Sequence, residues 1–499
     1  MACGTSRGRL PSRACATSTV LRLSTFLVQA LAPAAHNGTR QGSAVDDGAS
    51  ACGVGVARVG KVEEKGRPQK VLSGTSISVM VVGAVVFLAS LHYLVHWPDK
   101  EIRLITWKLI SSTTSIFIAV MIYTVALEEL GDNVALVLGH GYTGSLGLLV
   151  LLLVVQADLF MVRKSEVASA SRCLIGGHLL GFNAIHVFGN MQERLTFFCS
   201  ASWRAALVIP LFAAGWFALS WVARRIRHMI EERLASSDPR ESQVAEFWED
   251  QCFDTENDVV AITMGFLLTQ VVGFVLHGRL PPLVGEFVHH ADIENHLLFA
   301  TGAAFMLSVF GFEALDSRAH GHYYMRRLVL VVRGVLAMSM SWCWLMWSRW
   351  HLWMTLHMEE LLAKVVLACG TSLFCMIMVF ILDSLADRSV VNPKALRAVI
   401  QAFGLLIGLS WESCFDAVME DLHPKHFRTL IAVGLALYVL PGWRLYILPK
   451  ALAVWPLEMH NNPPSAIALC KEDEEWQTED SEDDERQKGG DSSGDSASE

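Results

Sequence analysis

Residues 365–382 read VVLACGTSLFCMIMVFIL, eighteen consecutive positions without a charge. A chain needs roughly 20 apolar residues to cross a hydrocarbon core near 30 Å as a helix. It must be a helix, because lipid offers the backbone no hydrogen-bond partners. With its flanks this stretch predicts a crossing over 360–383. Working outward, ten further stretches of the same character predict crossings at 71–96, 104–127, 144–162, 172–193, 203–223, 258–277, 296–315, 328–348, 395–417 and 427–449. The fold class that follows is all-α: a polytopic transmembrane helical bundle with about 11 crossings.

Composition agrees with this. Of 499 residues, 52% are hydrophobic and 18% charged, and the mean hydropathy is +0.38. That is too apolar for ordinary soluble domains, so the lipid bilayer is the first expected partner. The net charge of -9 comes mostly from the tail after Lys471, EDEEWQTEDSEDDERQ followed by GGDSSGDSASE. Such a segment has almost nothing apolar to bury and is expected to be disordered, with a cytosolic docking partner as its natural use. The domain reading is an N-terminal region 1–70, a membrane domain 71–449 and the acidic tail 450–499. No nucleic-acid partner is expected.

The first 45 residues contain Arg7, Arg9, Arg13, Arg22 and Arg40, with abundant Ser, Thr and Ala and no acid before Asp46. This composition suits an organellar transit peptide. Val20 to Ala32 followed by Pro33-Ala34-Ala35 also suits a signal peptide, with Asn37-Gly38-Thr39 as a glycosylation sequon, although Arg22 interrupts the apolar stretch. A plain disordered extension is the third reading. Eleven cysteines show no C-x-x-C pair and read as small core residues instead of a disulfide frame or zinc site.

Lys and Arg concentrate in the loops after crossings 1, 3, 5, 7 and 9. By the positive-inside rule those loops face the cytosol or its equivalent, leaving the N-terminus outside and the acidic tail inside. Lys61, Lys65, Arg67 and Lys70, just before the first crossing, run against that orientation. The longest loop, 224–257, mixes charges at helical spacing around Pro239 and predicts a cytosolic helical hairpin. Trp342, Trp344, Trp347, Trp350 and Trp353 gather where crossing 8 ends, as interfacial anchors do.

Candidate functional residues are the polar groups inside the apolar stretches. Glu412, Asp416 and Glu420 in crossing 10 are spaced i, i+4, i+8 and share one helix face. A carboxylate at bilayer depth costs about 2.5 kcal/mol or more, so it should face a water-filled cavity, a cation or a proton. Crossing 7 adds Glu313 and Asp316, crossing 4 adds Asn183, His186 and Asn190 with His178 earlier, and crossing 3 holds Asp158. Imidazole beside carboxylates can relay protons. Glu128, Glu129 and Asp132 follow crossing 2 in what reads as an acidic outer loop.

Three short segments resemble one another: Gly181-Phe182-Asn183-Ala184-Ile185, Gly311-Phe312-Glu313-Ala314-Leu315 and Ser410-Trp411-Glu412-Ser413-Cys414. They fit three related three-helix units, which would alternate in orientation as in inverted-repeat transporters, or a coincidence of membrane composition. A second echo sets Trp248-Glu249-Asp250-Gln251-Cys252-Phe253-Asp254 against Trp411-Glu412-Ser413-Cys414-Phe415-Asp416.

Gly139-His140-Gly141-Tyr142-Thr143-Gly144 matches a dinucleotide fingerprint, but that motif works only in a soluble βαβ unit and is read here as a turn. The loop from Gly285 to His296 holds His289, His290, Asp292 and Glu294, yet no H-E-x-x-H or paired histidine box appears, so no metal or other cofactor is expected. No Walker motif, potassium-type filter or G-x-S-x-G elbow appears either. The leading functional expectation is a secondary transporter or channel for a cation or proton-coupled solute. A non-transporting scaffold or sensor is the alternative, and a membrane-embedded enzyme stands third.

Overall fold

The computed structural model describes residues 74–138, 143–235, 239–281, 292–312, 323–356, 360–388, 393–420 and 425–452. The N-terminal segment, the acidic tail, Glu313, Asp316, His289, His290 and the start of the glycine-rich turn lie outside these residues. Among the described residues the regular structure is helical throughout. Its long helices are α1 (Gly74–Val95), α2 (Lys100–Leu138), α3 (Thr143–Val162), α4 (Glu166–Arg194), α5 (Val208–Ala235), α6 (Pro239–His277), α7 (Asp292–Gly311), α8 (Tyr323–Leu356), α9 (Glu360–Asp387), α10 (Pro393–Glu420) and α11 (Lys425–Gly442). Two short helices, Thr196–Cys199 and Ser202–Ala206, join α4 to α5, and a π-helical turn, Trp443–Ile447, continues α11. Each predicted crossing overlaps one of these helices in order. Among the described residues nine helices are long and apolar enough to cross a membrane, which makes this a multi-pass helical membrane protein.

Burial separates the helices into an inner and an outer set. The span Phe247–His277 in α6 is 67% buried, against 11% for Ser78–Val95 in α1 and for Phe427–Leu452, which runs from α11 through the π-helical turn. On the outer helices Val82, Leu88, Leu153, Val154 and Leu437 are exposed. Such an apolar exterior would aggregate in water and is the expected surface toward lipid. The inner helices α2, α4, α6, α8 and α10 approach closely through small residues. An added Cβ at Gly404 would lie 2.5 Å from Ser112 Oγ, and one at Gly408 would lie 3.0 Å from Ile116 Cγ2. Gly404 and Gly408 thus form a small-x-x-x-small seam between α10 and α2. Gly265 does the same for α6 and α8, where a Cβ would meet Met338 Cβ at 2.7 Å, and Thr269 Oγ1 donates to Ser339 O at 3.3 Å.

α4 is among the least apolar of the long helices yet one of the most buried, with Ser169, Ser171, Gly176, Gly177, His178 and Gly181 all inside. A helix surrounded by other helices needs small and hydrogen-bonded residues more than lipid solubility. Helix ends follow ordinary capping rules. Asp99 Oδ1 accepts from Glu101 N at 2.9 Å at the start of α2, and Ser165 Oγ accepts from Ala168 N at 3.4 Å at the start of α4. Gly278, at φ 71°, ends α6 with its N–H on Phe274 O at 2.9 Å.

The structure refines four expectations. Glu128, Glu129 and Asp132 sit on the helical backbone of α2 and not in a loop, because α2 runs on to Leu138. The helical hairpin expected over 224–257 is present, α5 running to Ala235 and α6 starting at Pro239, but each arm is continuous with its crossing and not a separate loop helix. Trp342, Trp344 and Trp350 are buried. Trp342 packs edge-on to Phe266 at 4.9 Å and Trp344 Nε1 donates to Phe299 O at 3.2 Å, so these rings pack between helices and do not face outward as anchors. Six described cysteines are free, but Cys199 is disulfide-bonded.

Candidate functional site

Successive single crossings alternate in direction, so α2, α4, α6, α8 and α10 all begin at one end of the bundle, here the near end, and finish at the far end. α6 carries two opposite polar faces at the near end. Glu249 and Glu256 lie seven residues apart and share one face; Asp250, Asp254 and Asp258, at i, i+4, i+8, share the face opposite.

The first face is closed by α5 and α3. Arg227, 3% exposed, donates through Nε to Glu249 Oε2 at 2.6 Å. Its Nη1 reaches Glu256 Oε1 at 2.8 Å and Gln156 Oε1 at 3.1 Å. Arg224 Nε lies 3.3 Å from Glu249 Oε1. Two guanidinium groups therefore balance two carboxylates, and Trp216 Nε1 caps the Glu256 carbonyl at 3.2 Å. A buried charge is tolerated when it is paired and its remaining hydrogen-bonding groups are satisfied.

The deep end of the second face is not balanced. Asp250 and Asp254 are exposed and Asp258, at the deep end of the stripe, is half-buried. Asp258 Oδ1 accepts from Gln401 Nε2 on α10 at 3.0 Å, a neutral donor. Among the described residues no Lys, Arg or His pairs with it, and the charge that acts on it is the like charge of Asp254 one turn earlier. Gly177 of α4 leaves only ordinary contact room beside the Asp258 side chain. Next to it, His178 is buried with Nδ1 3.5 Å from Ser115 Oγ. Carboxylates one turn apart repel, and a proton or cation on one of them relieves the repulsion.

Three turns along the same face of α10, about 16 Å on at 1.5 Å per residue, comes Glu412. It and Asp416 are half-buried. The charges acting on Glu412 are Asp416, Arg349 of α8 and Lys364 of α9. Trp411 Nε1 donates to Ser372 Oγ at 2.9 Å and holds this end of α10 against α9. Glu420 is the last helical residue; its side chain lies outside the described residues. Between Gln401 and Glu412, Ala402, Phe403, Leu405, Leu406 and Ile407 are at most 1% exposed, so this stretch of α10 is dry.

The remaining candidates do not join Glu412. Asn183 is half-buried, with Nδ2 toward Gly147 of α3. His186 is exposed, and its carbonyl accepts from Asn190 Nδ2 at 2.6 Å. Asp158 pairs with Arg172 at 3.4 Å, both near two-fifths exposed. The described candidates thus form separate polar layers at the two ends of the bundle, with Asn183 and His186 on the far part of α4.

Sequence reasoning missed all three residues of this contact: Asp254 falls before a crossing predicted to start at 258, Asp258 falls on its first position, and Gln401, inside the crossing at 395–417, is an uncharged polar residue with no spacing pattern to mark it. The i, i+4, i+8 acid spacing that singled out α10 recurs on α6, and the Trp248/Trp411 echo pointed to the same pair of helices. No family model matches this chain, and no curated protein or solved structure matches it either, so its chemistry rests on this geometry.

Proposed function

We propose that this protein is a secondary transporter for a cation or a proton-coupled solute, with the acid stripes of α6 and α10 as its approaches from the two sides. The observation that carries the reading is Asp258: a carboxylate two turns inside the bundle with a neutral partner and a like charge beside it. Intramembrane ionisable groups of this kind are costly and by default mark an ion or proton route. The dry segment of α10 between Gln401 and Glu412 suits a closed state that must rearrange to pass its load, and it disfavours a permanently open channel.

That same dry layer, with the neutral Arg224–Arg227–Glu249–Glu256 network, favours a second reading as a non-transporting scaffold or sensor. Flux separates the two. The full chain is reconstituted in liposomes under gradients of either sign, with an internal pH dye for protons and tracer Na⁺ and Rb⁺ for cations. Transport predicts flux of at least one of these, and predicts that Asp258→Asn and Glu412→Gln lose most of it while remaining monodisperse. Folded wild-type protein that passes none of the three, or Asp258→Asn protein with undiminished flux, overturns the proposal.

A further inference from the structure

A cleft of about 190 Å³ opens between α2, α3, α4 and α11. One end is charged, with Asp158, Arg172 and Arg444; the other is walled by Ile122, Leu151 and Leu179. The charged end lies where α3 and α11 finish and α4 begins, which is the near end. Leu151 stands seven residues before Asp158 and Leu179 seven residues after Arg172, so each lies about 10 Å deeper along its helix. The cleft therefore changes from charged to apolar along the membrane normal.

Its charges do not cancel. Asp158 and Arg172 lie 3.4 Å apart, while Arg444 is half-buried and makes no ion pair or hydrogen bond among the described residues. Arg444 is held there by the π-helical turn Trp443–Ile447, whose Trp443 is 1% exposed and donates through Nε1 to Ser111 Oγ at 3.0 Å. π-Helical turns inside α-helices recur at functional positions because they turn side chains out of the regular register. One turn further, Lys450 Nζ lies 5.4 Å from the Trp107 ring centre and 5.2 Å from that of Tyr446. Aromatic and basic side chains together mark the level of the lipid headgroups.

The geometry points to a binding site for one anionic phospholipid of the surrounding bilayer, its phosphate on Arg444 and Arg172 and an acyl chain along Ile122, Leu151 and Leu179. Charge complementarity supports this occupant: two guanidinium groups and one carboxylate leave a single positive charge, the complement of a phospholipid with one net negative charge. By the Lys and Arg distribution the near end faces the cytosol, the side on which basic pockets between membrane helices take anionic headgroups.

The test uses the full chain in nanodiscs of phosphatidylcholine with a minor fraction of phosphatidylglycerol, released into native mass spectrometry to count retained lipid. Wild-type protein should retain one phosphatidylglycerol in preference to phosphatidylcholine. Arg444→Gln should weaken that retention about fivefold, the effect of one basic residue near the surface. Asp158→Asn removes the opposing charge and should strengthen it, a change that a folding defect would not produce, and Arg444→Lys should keep most of it. Equal retention of phosphatidylcholine, an unchanged Arg444→Gln protein, or displacement by inorganic phosphate without loss of acyl-chain specificity would each overturn the assignment.

Discussion

Arg227→Met tests whether the near end of the bundle is held by charge. Arg227 serves Glu249, Glu256 and Gln156 at 2.6, 2.8 and 3.1 Å. Removing it strands Glu256, whose side chain is 3% exposed, where water cannot solvate it; an uncompensated buried charge costs about 3–5 kcal/mol. Glu249→Gln should cost much less, about 1 kcal/mol, because the Arg227–Glu256 pair survives and position 249 is 22% exposed. The double variant Arg227→Met/Glu256→Met exchanges the pair for apolar side chains of similar length and should recover most of the loss. Thermal unfolding in one detergent at one heating rate, followed by tryptophan fluorescence, ranks the four proteins without assuming reversibility. The expected order is wild type, then Glu249→Gln and the double variant, with Arg227→Met lowest. An Arg227→Met protein that melts with Glu249→Gln, or a double variant below Arg227→Met, would refute the argument.

Gly404→Ala should destabilise the α2–α10 seam by roughly 1–3 kcal/mol, because its Cβ would press on Ser112 Oγ and Cβ at 2.5 and 2.7 Å; adding Ser112→Gly should restore the melting point, and failure to do so would place the clash elsewhere. Ser111→Ala should cost about 1–3 kcal/mol by orphaning the buried Trp443 Nε1, while Trp443→Phe in that background should add less than Trp443→Phe alone, measured by the same unfolding assay.

The crossings were legible because each outer helix must be apolar over its whole length to sit in lipid, a signal that survives in one short window. The inner helices obey a different rule. α4 is surrounded by protein and can carry Ser169, Ser171 and His178 inside, and α6 can carry seven acids from Glu241 to Asp258 before its apolar half, two of which face Arg227. Window hydropathy therefore begins α6 nineteen residues late. Pairings such as Gln156 with Arg227, or Asp258 with Gln401, join residues 71 and 143 positions apart and leave no trace in local spacing. What local spacing does carry is the face: the acid stripe on α10 was legible from i, i+4, i+8, and the stripe on α6 was written in the same period.

The two faces of α6 divide the work of one helix. Seven residues return a helix to within 20° of the same direction, so Glu249 and Glu256 present one surface; nine residues separate Glu249 from Asp258 and turn it by half a revolution. The glutamate face meets as many cations as it has acids and holds α5 and α3 in place. At the deep end of the aspartate face Asp258 meets Gln401 and the like charge of Asp254, with no Lys, Arg or His paired to it among the described residues. A helix that spent all its acids on packing would need a base for each, and one that left them all unpaired would lose its anchorage at the near end. Because the paired face fixes α6 against α5, Asp258 can stay without a basic partner and the bundle still holds together, and under the transport proposal that is where a mobile cation or proton would be taken up.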